Sequence, residues 1–200
     1  MRLYPNIVKG INRRVVKPTP FGSVGIIWIG LKDNPKIIRV LISKPGLFAE
    51  DQASKLYPDS LASSCAKIDN IAEAIKGFLE GEPVVFSLDA ADLSQCTGFQ
   101  QRVLLAEHAI PRGSVSSYRL IAEYLGRKGG ARAVGNALAN NPFPLIVPCH
   151  RAIRSDRHLG GYQGGLAMKR ALLEYEGISF DGEGRAECPQ FYYHTRLRGD

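Results

Sequence analysis

The sequence predicts an α+β protein: a small N-terminal α/β domain with an antiparallel sheet, then a mainly helical domain carrying a helix-turn-helix. Three stretches carry this expectation. GSVGIIWIGLKDNPKIIRVLISK, residues 22–44, holds two apolar, β-branched runs around a polar break. SSCAKIDNIAEAIKGFLEGE, residues 63–82, repeats apolar residues at helical spacing. Beyond Thr97, two short helical patterns flank a turn that contains glycine.

The first stretch reads as a hairpin, because β-branched and aromatic side chains suit a pleated surface and Asp33-Asn34-Pro35 supplies turn residues. In the second, Ile68, Ile71, Ile75, Phe78 and Leu79 form one face of a helix and Gly81 stops it. PVVFSL, residues 83–88, is expected as a third strand, and DAADLSQCT, residues 89–97, as a linker. The expected domains are therefore residues 1–92 and 93–200.

TGFQQRVLLAEHAI then forms an amphipathic helix with Phe99, Val103, Leu104 and Ala106 inward. Ser116 or Ser117 caps the next helix, SYRLIAEYLG, by accepting from its free backbone N–H groups, and Gly126 ends it. ARAVGNALANN follows the RKGG turn as the second helix of a helix-turn-helix. Arg119, Arg127, Lys128 and Arg132 gather here against Glu123. That basic face reads equally as solvated surface or as a contact for a polyanion. The tail, ISFDGEGRAECPQFYYHTRLRGD, is polar with one aromatic clump expected to dock on the body, and its last residues are expected to fray.

Composition narrows the class. Of 200 residues 44% are hydrophobic, and the net charge is +7. No apolar run approaches the roughly 18 residues of a membrane span, and the N-terminus has no secretory h-region. A cytoplasmic or nuclear location without membrane attachment is expected. Cys65, Cys96, Cys149 and Cys188 are widely spaced without a C-x-x-C pair. This argues against a disulfide framework and a cysteine-paired zinc site. Cys188 with His194 is a half-site at most.

The chemistry centres on PLIVPCHRAI, residues 144–153. A cysteine behind an apolar run is usually a small core residue. Against that, Pro148 restrains the chain, His150 and Arg151 are poor core residues, and LGGYQGG, residues 159–165, lets backbone approach a ligand closely. Making a thiolate the major form at neutral pH takes about 2.7 kcal/mol of differential stabilisation. A nearby imidazole oriented by a carboxylate supplies it. In the helix MKRALLEYEG, with Met168, Leu172 and Leu173 inward, Glu176 shares the Leu172 side and Glu174 points away. The expected constellation is Cys149, His150 and Glu176 beside a basic helix-turn-helix, presenting the thiol from an extended segment.

From Thr97 to Gly177 the chain resembles the O6-alkylguanine-DNA alkyltransferases, also called methylated-DNA–protein-cysteine methyltransferases. RAVG, NP, PCHR, GGY, GGL and LLEYEG occur in that family's order. The resemblance implies that Cys149 accepts the alkyl group, His150 acts as base through a water, and Glu176 orients it. It implies that Asn141 holds the site together, Tyr118 stabilises the departing guanine and Arg132 fills the gap left by a flipped nucleotide. Ala131, Gly135, Tyr118 and Arg151 join Arg132 against DNA, with the small-residue helix in the minor groove. Tyr162, Gln163, Val147 and Ala152 line the base pocket, and Gln163 narrows it where many relatives carry a smaller residue. The implied partner is double-stranded DNA containing O6-alkylguanine, met by a monomer. The implied reaction is stoichiometric, with no metal or organic cofactor and no N-terminal zinc. The competing readings are a damage-recognition module without transfer, a methylation-responsive regulator and a thiol hydrolase.

Overall fold

The computed structural model describes residues 10–194. The expected fraying of the last residues, 195–200, lies outside them. The chain divides into two compact units: residues through Gln95 together with Pro142–Ile146, and Cys96–Asn141 together with the chain from Val147 onward. No helix among the described residues is long and apolar enough to cross a membrane.

The first unit is built on a four-stranded sheet of order β3-β2-β1-β4. Strands β1 (Asn12–Thr19), β2 (Gly22–Leu31) and β3 (Asn34–Ile42) run antiparallel to their neighbours, and β4 (Leu61–Ala62) lies parallel to β1. The predicted hairpin is β2–β3, but its turn is Lys32-Asp33, because Leu31 pairs with Asn34 and Gly30 with Pro35. Pro35 is tolerated at the start of an edge strand, where its missing N–H breaks no ladder. Consecutive residues Val24–Trp28 are all buried, so both faces of β2 are covered. Ile27, Ile38 and Leu41 pack against Ala49 and Ala53 of α1 (Ala49–Leu56). The predicted helix is α2 (Ala66–Leu79), with Ile68, Ile75, Phe78 and Leu79 buried and Gly81 at positive φ just beyond it.

PVVFSL is not a strand: Val85 is 88% exposed. The outer edge of β3 is met instead by the segment expected as a linker. Ile37 N–H donates to Ala90 O at 2.7 Å and Asp92 N–H to Ile37 O at 2.8 Å. A strand-like composition without a free edge to pair with leaves the chain irregular.

The second unit holds the helices α3 (Gly98–His108), α4 (Tyr118–Tyr124), α5 (Ala131–Ala139) and α6 (Leu166–Tyr175). Thr97 caps α3 by accepting from Gln100 N–H. Of the two candidate serines, Ser117 caps α4, accepting from Leu120 N–H at 3.2 Å. Gly126, at φ 73°, closes α4: its N–H donates to Glu123 O, and Arg127 N–H donates to Ala122 O at 2.8 Å. This pair of bonds is the Schellman motif that glycine permits. It turns the chain into α5, completing the predicted helix-turn-helix. Short strands β5 (Ser116–Ser117) and β6 (Ala152–Ile153) pair in parallel. The aromatic clump of the tail docks as expected. Tyr193 is buried, donates to Ala106 O at 2.7 Å and stacks on Tyr124 at 4.1 Å. Before it, β7 (Ser179–Phe180) and β8 (Ala186–Glu187) form a small hairpin. Cys188 sits there in an apolar cluster with Val115, Ile153, Leu173, Ile178 and Ala186, a core position rather than a ligand half-site.

Candidate active site

Leu145 takes a left-handed φ of 74°, and the chain then folds into a single 3-10 turn over Cys149–Arg151. Arg151 N–H donates to Pro148 O at 2.9 Å. The thiol is therefore carried at the start of a tight turn, not at the end of an extended segment. Pairing of Ser116 with Ala152 sets that turn beside the start of α4. Cys149 is only 5% exposed. Asn141, itself buried, donates from Nδ2 to Val147 O at 3.2 Å and interacts with the Cys149 thiol, so it ties the two ends of the loop together.

His150 is fully buried, and its Nε2 lies 2.9 Å from Glu176 Oε1. Glu176 follows the last turn of α6, as the helical spacing predicts. Arg151 donates to both carboxylate oxygens, from Nε to Oε2 at 2.9 Å and from Nη2 to Oε1 at 2.7 Å. Its Nη1 donates to Ile110 O at 2.6 Å. This corrects the placement of Arg151 on the DNA surface. The guanidinium is buried and committed to Glu176, a fork geometry that suits a planar carboxylate.

Burial alone would raise the Glu176 carboxyl, but the hydrogen bonds and charges of His150 and Arg151 outweigh it and hold it at about 2. An ionised carboxylate only accepts, so Nε2 of His150 carries the proton and Nδ1 is the basic nitrogen. Burial also lowers the His150 pKa despite Glu176, so the ring rests neutral. Burial pushes the Cys149 thiol up to about 12, against the Asn141 hydrogen bond. The resting pair is thus thiol and neutral imidazole.

Tyr118 stands at the first residue of α4. Lys169 Nζ lies 3.4 Å from its hydroxyl and 5.7 Å from its ring centroid. Gly160, at φ 69°, is required beside it, since a Cβ there would lie 2.9 Å from the Tyr118 hydroxyl. Gly160→Ala is expected to lower unfolding stability by about 1–3 kcal/mol in urea titrations, from left-handed strain and displacement of Tyr118. Gly161→Ala, where a Cβ meets nothing within 4 Å, is the matched control and stays near wild type.

Gln163 is half-buried and donates from Nε2 to Asn141 O at 2.9 Å, linking the glycine-rich loop to the Asn141 loop. Tyr162 packs its ring edge-on to His150, with centroids 6.3 Å apart, and buries its hydroxyl. Val147 and Ala152 are both fully buried, and their carbonyls accept from Asn141 and Lys169. On α5, Arg132 is exposed, while Ala131 and Gly135 are half-buried. A Cβ on Gly135 would meet Tyr118 at an ordinary 4.0 Å.

Two buried charges at the site went unread in the sequence, Lys169 and Glu107, each 0% exposed. Their positions carried a signal. Lys169 shares the helical stripe of Leu172, Leu173 and Glu176, and Glu107 follows Val103 and Leu104 at helical spacing. All four cysteines are free thiols. Among the described residues no three of His, Cys, Asp and Glu converge to hold a metal.

Residues 98–178 match the family model described as 6-O-methylguanine DNA methyltransferase, DNA binding domain. A methylated-DNA–protein-cysteine methyltransferase of Methanothermobacter thermautotrophicus is 37% identical over 164 residues, 82% of this chain and 85% of that protein. The solved O6-methylguanine methyltransferase of Mycobacterium tuberculosis is similar in fold, with a TM-score of 0.66 at 32% identity over 83% of this chain and 92% of that one. The M. tuberculosis OGT solved in complex with DNA gives a TM-score of 0.64 at 31% identity, over 82% and 92%. The likeness to the first relative runs through both units and not only through the PCHR segment, and on that breadth the chain belongs to the methylated-DNA–protein-cysteine methyltransferase family.

Proposed function

We propose that the protein repairs DNA by direct reversal, moving an alkyl group from O6 of guanine to its own Cys149. The observation that carries this reading is the buried Cys149-His150-Glu176 arrangement in the same unit as the helix-turn-helix. The division of labour follows: the C-terminal part, residues 93–200, binds DNA and reacts, and residues 1–92 form a separate N-terminal domain.

Helix α5 approaches the minor groove through Ala131 and Gly135. An O6-alkylguanine inside a duplex cannot reach a buried thiol, so the nucleotide is flipped out at a cost of a few kcal/mol, least for a damaged pair. Arg132, exposed on the second residue of α5, offsets part of this cost by filling the vacancy. Tyr162, Gln163 and the backbone near Val147 and Ala152 surround the base.

The Cys149 proton then passes through a water to Nδ1 of His150, while Glu176 steadies the imidazolium. Sγ bonds to the alkyl carbon as the carbon–O6 bond breaks. Guanine leaves with a proton from Tyr118, whose phenolate is stabilised by the Lys169 ammonium. The proton on His150 restores Tyr118, so the step balances. The product thioether is stable, and no group in the site is placed to remove it. Each molecule therefore reacts once. One chain supplies every residue used, so a monomer suffices.

The test is intact mass after mixing with excess duplex carrying one O6-methylguanine, followed by peptide mapping. A single added methyl on the Cys149 peptide, saturating at one per protein, is the expected result. Binding with no change in mass would assign the protein to damage recognition without transfer.

A further inference from the structure

The chain leaves the C-terminal unit after Asn141 and returns to it at Val147. Asn141 closes that excursion: its Nδ2 donates to Val147 O at 3.2 Å, and it interacts with the Cys149 thiol. Its own backbone carbonyl is held by the carboxamide of Gln163, which donates to it at 2.9 Å. Gln163 therefore acts on the residue that fixes the thiol loop.

The other end of this bond is a turn with little rigidity of its own. Gly160 at φ 69° and Gly165 at φ 88° bracket it, and Gly165 N–H closes it onto Tyr162 O at 3.1 Å. A glycine backbone keeps many conformations unless something outside pins it. Lys169 pins the near side, donating to Leu159 O at 2.7 Å and to Gly161 O at 3.3 Å. Past Gly161, Gln163 supplies a pin, and its neighbour Tyr162 is the residue packed edge-on against His150. One amide thus joins the part of the site that carries the thiol to the part that covers the imidazole. We propose that Gln163 is a positioning residue for alkyl transfer, its carboxamide clamping the Tyr162–Gly165 turn to Asn141 so that the thiol loop and the imidazole stay in register.

A clamp needs a donor, whereas a residue that only narrows the pocket needs bulk, and substitution separates the two. Gln163→Met keeps the length and most of the volume but donates nothing. Gln163→Glu donates to a carbonyl only while its carboxyl is protonated, and at neutral pH it sets a negative charge against Asn141 O. Its acid form gains as pH falls toward the ordinary glutamate value of about 4.3. The hydrogen bond to Asn141 O favours that form further.

The experiment compares wild type with both variants. It reads the single-turnover rate of methyl transfer from an O6-methylguanine duplex at pH 7.5. It also reads the hydrogen-exchange protection of the Gly165 amide, with Val103 in α3 as internal reference. Both variants are expected to transfer about five- to tenfold more slowly, the worth of one ordinary hydrogen bond. Gly165 should lose protection in both while Val103 keeps it. At pH 4.5 the Gln163→Glu protein should regain Gly165 protection relative to wild type, and Gln163→Met should not. A merely structural role would not give that difference in pH response. A wild-type rate in Gln163→Met would mean that the side chain only fills space, and would overturn the proposal. So would a slowed rate with Gly165 protection unmoved, which would assign Gln163 to direct contact with the base. The proposal rests on the alkyl-transfer reading for its purpose, but the exchange readout needs no DNA. Lost Gly165 protection in both variants, with no transfer even in wild type, would uphold the clamp and remove the transfer reading.

Discussion

Cys149→Ala is expected to abolish methyl transfer completely while leaving the fold and DNA binding in place. The acceptor atom is gone, and no second thiol can replace it. Of the four cysteines only Cys149 adjoins His150, the partner of Glu176, in the chain, and Cys188 packs in an apolar cluster of the C-terminal unit. Cys65 precedes α2 in the other unit. The α5 surface proposed to face DNA does not include the thiol, so affinity for an O6-methylguanine duplex should persist and the complex should become long-lived. Intact mass and a gel-shift titration on the same samples check both halves: no added methyl, and binding within about threefold of wild type, less than 1 kcal/mol. Single Cys→Ala changes at positions 65, 96 and 188 should each still accept one methyl. A methyl group gained by Cys149→Ala, on any peptide, would show that the acceptor has been misassigned.

Much of this was legible in the sequence, and the unread parts share a physical cause. The β2–β3 hairpin and helices α2 to α6 announce themselves through the period of their apolar residues. Strand β1 does not, because NRRVVKPT carries three basic residues and only Val16 is buried. Helix α1 is short and buries Ala49, Gln52 and Ala53, small or polar residues with little periodic contrast. Its start is held by side chains distant in sequence, Ser23 and Ser43, both accepting from Ala49 N–H. PVVFSL shows the converse, since strand composition cannot make a strand without an edge to pair with. At the site, Glu176 was found because a carboxylate on the inward face of a helix needs a partner. Lys169 and Glu107 satisfy the same criterion, since each lies on the inward stripe of its helix. Arg151 is set against DNA only by the resemblance, whereas the structure gives its guanidinium a buried acceptor in Glu176.

Glu176→Gln should cost the protein both activity and stability, and the two losses have one origin. The carboxylate receives His150 and both arms of the Arg151 fork at 2.7–2.9 Å. Glutamine keeps the shape but removes the charge and turns an N–H₂ group toward donors. A buried guanidinium is left without its counterion, a loss of roughly 3–5 kcal/mol. One carbonyl oxygen must then serve both His150 and Arg151, the imidazolium loses the charge that steadies it, and transfer should slow by at least about 100-fold in single-turnover assays. The pH dependence of stability separates this charge from packing. The Glu176 carboxyl is held at about 2, well below its ordinary value. Its contribution is therefore complete above the ordinary carboxylate range and is lost as pH falls toward 2, and in total it is on the order of 3 kcal/mol. Urea unfolding of wild type from pH 6 to pH 3 should show that decline, and the Glu176→Gln protein, already without the charge, should show correspondingly less of it. Equal slopes in the two proteins would mean that the carboxylate is not what Arg151 and His150 depend on, and the orientation of the catalytic imidazole would need another source.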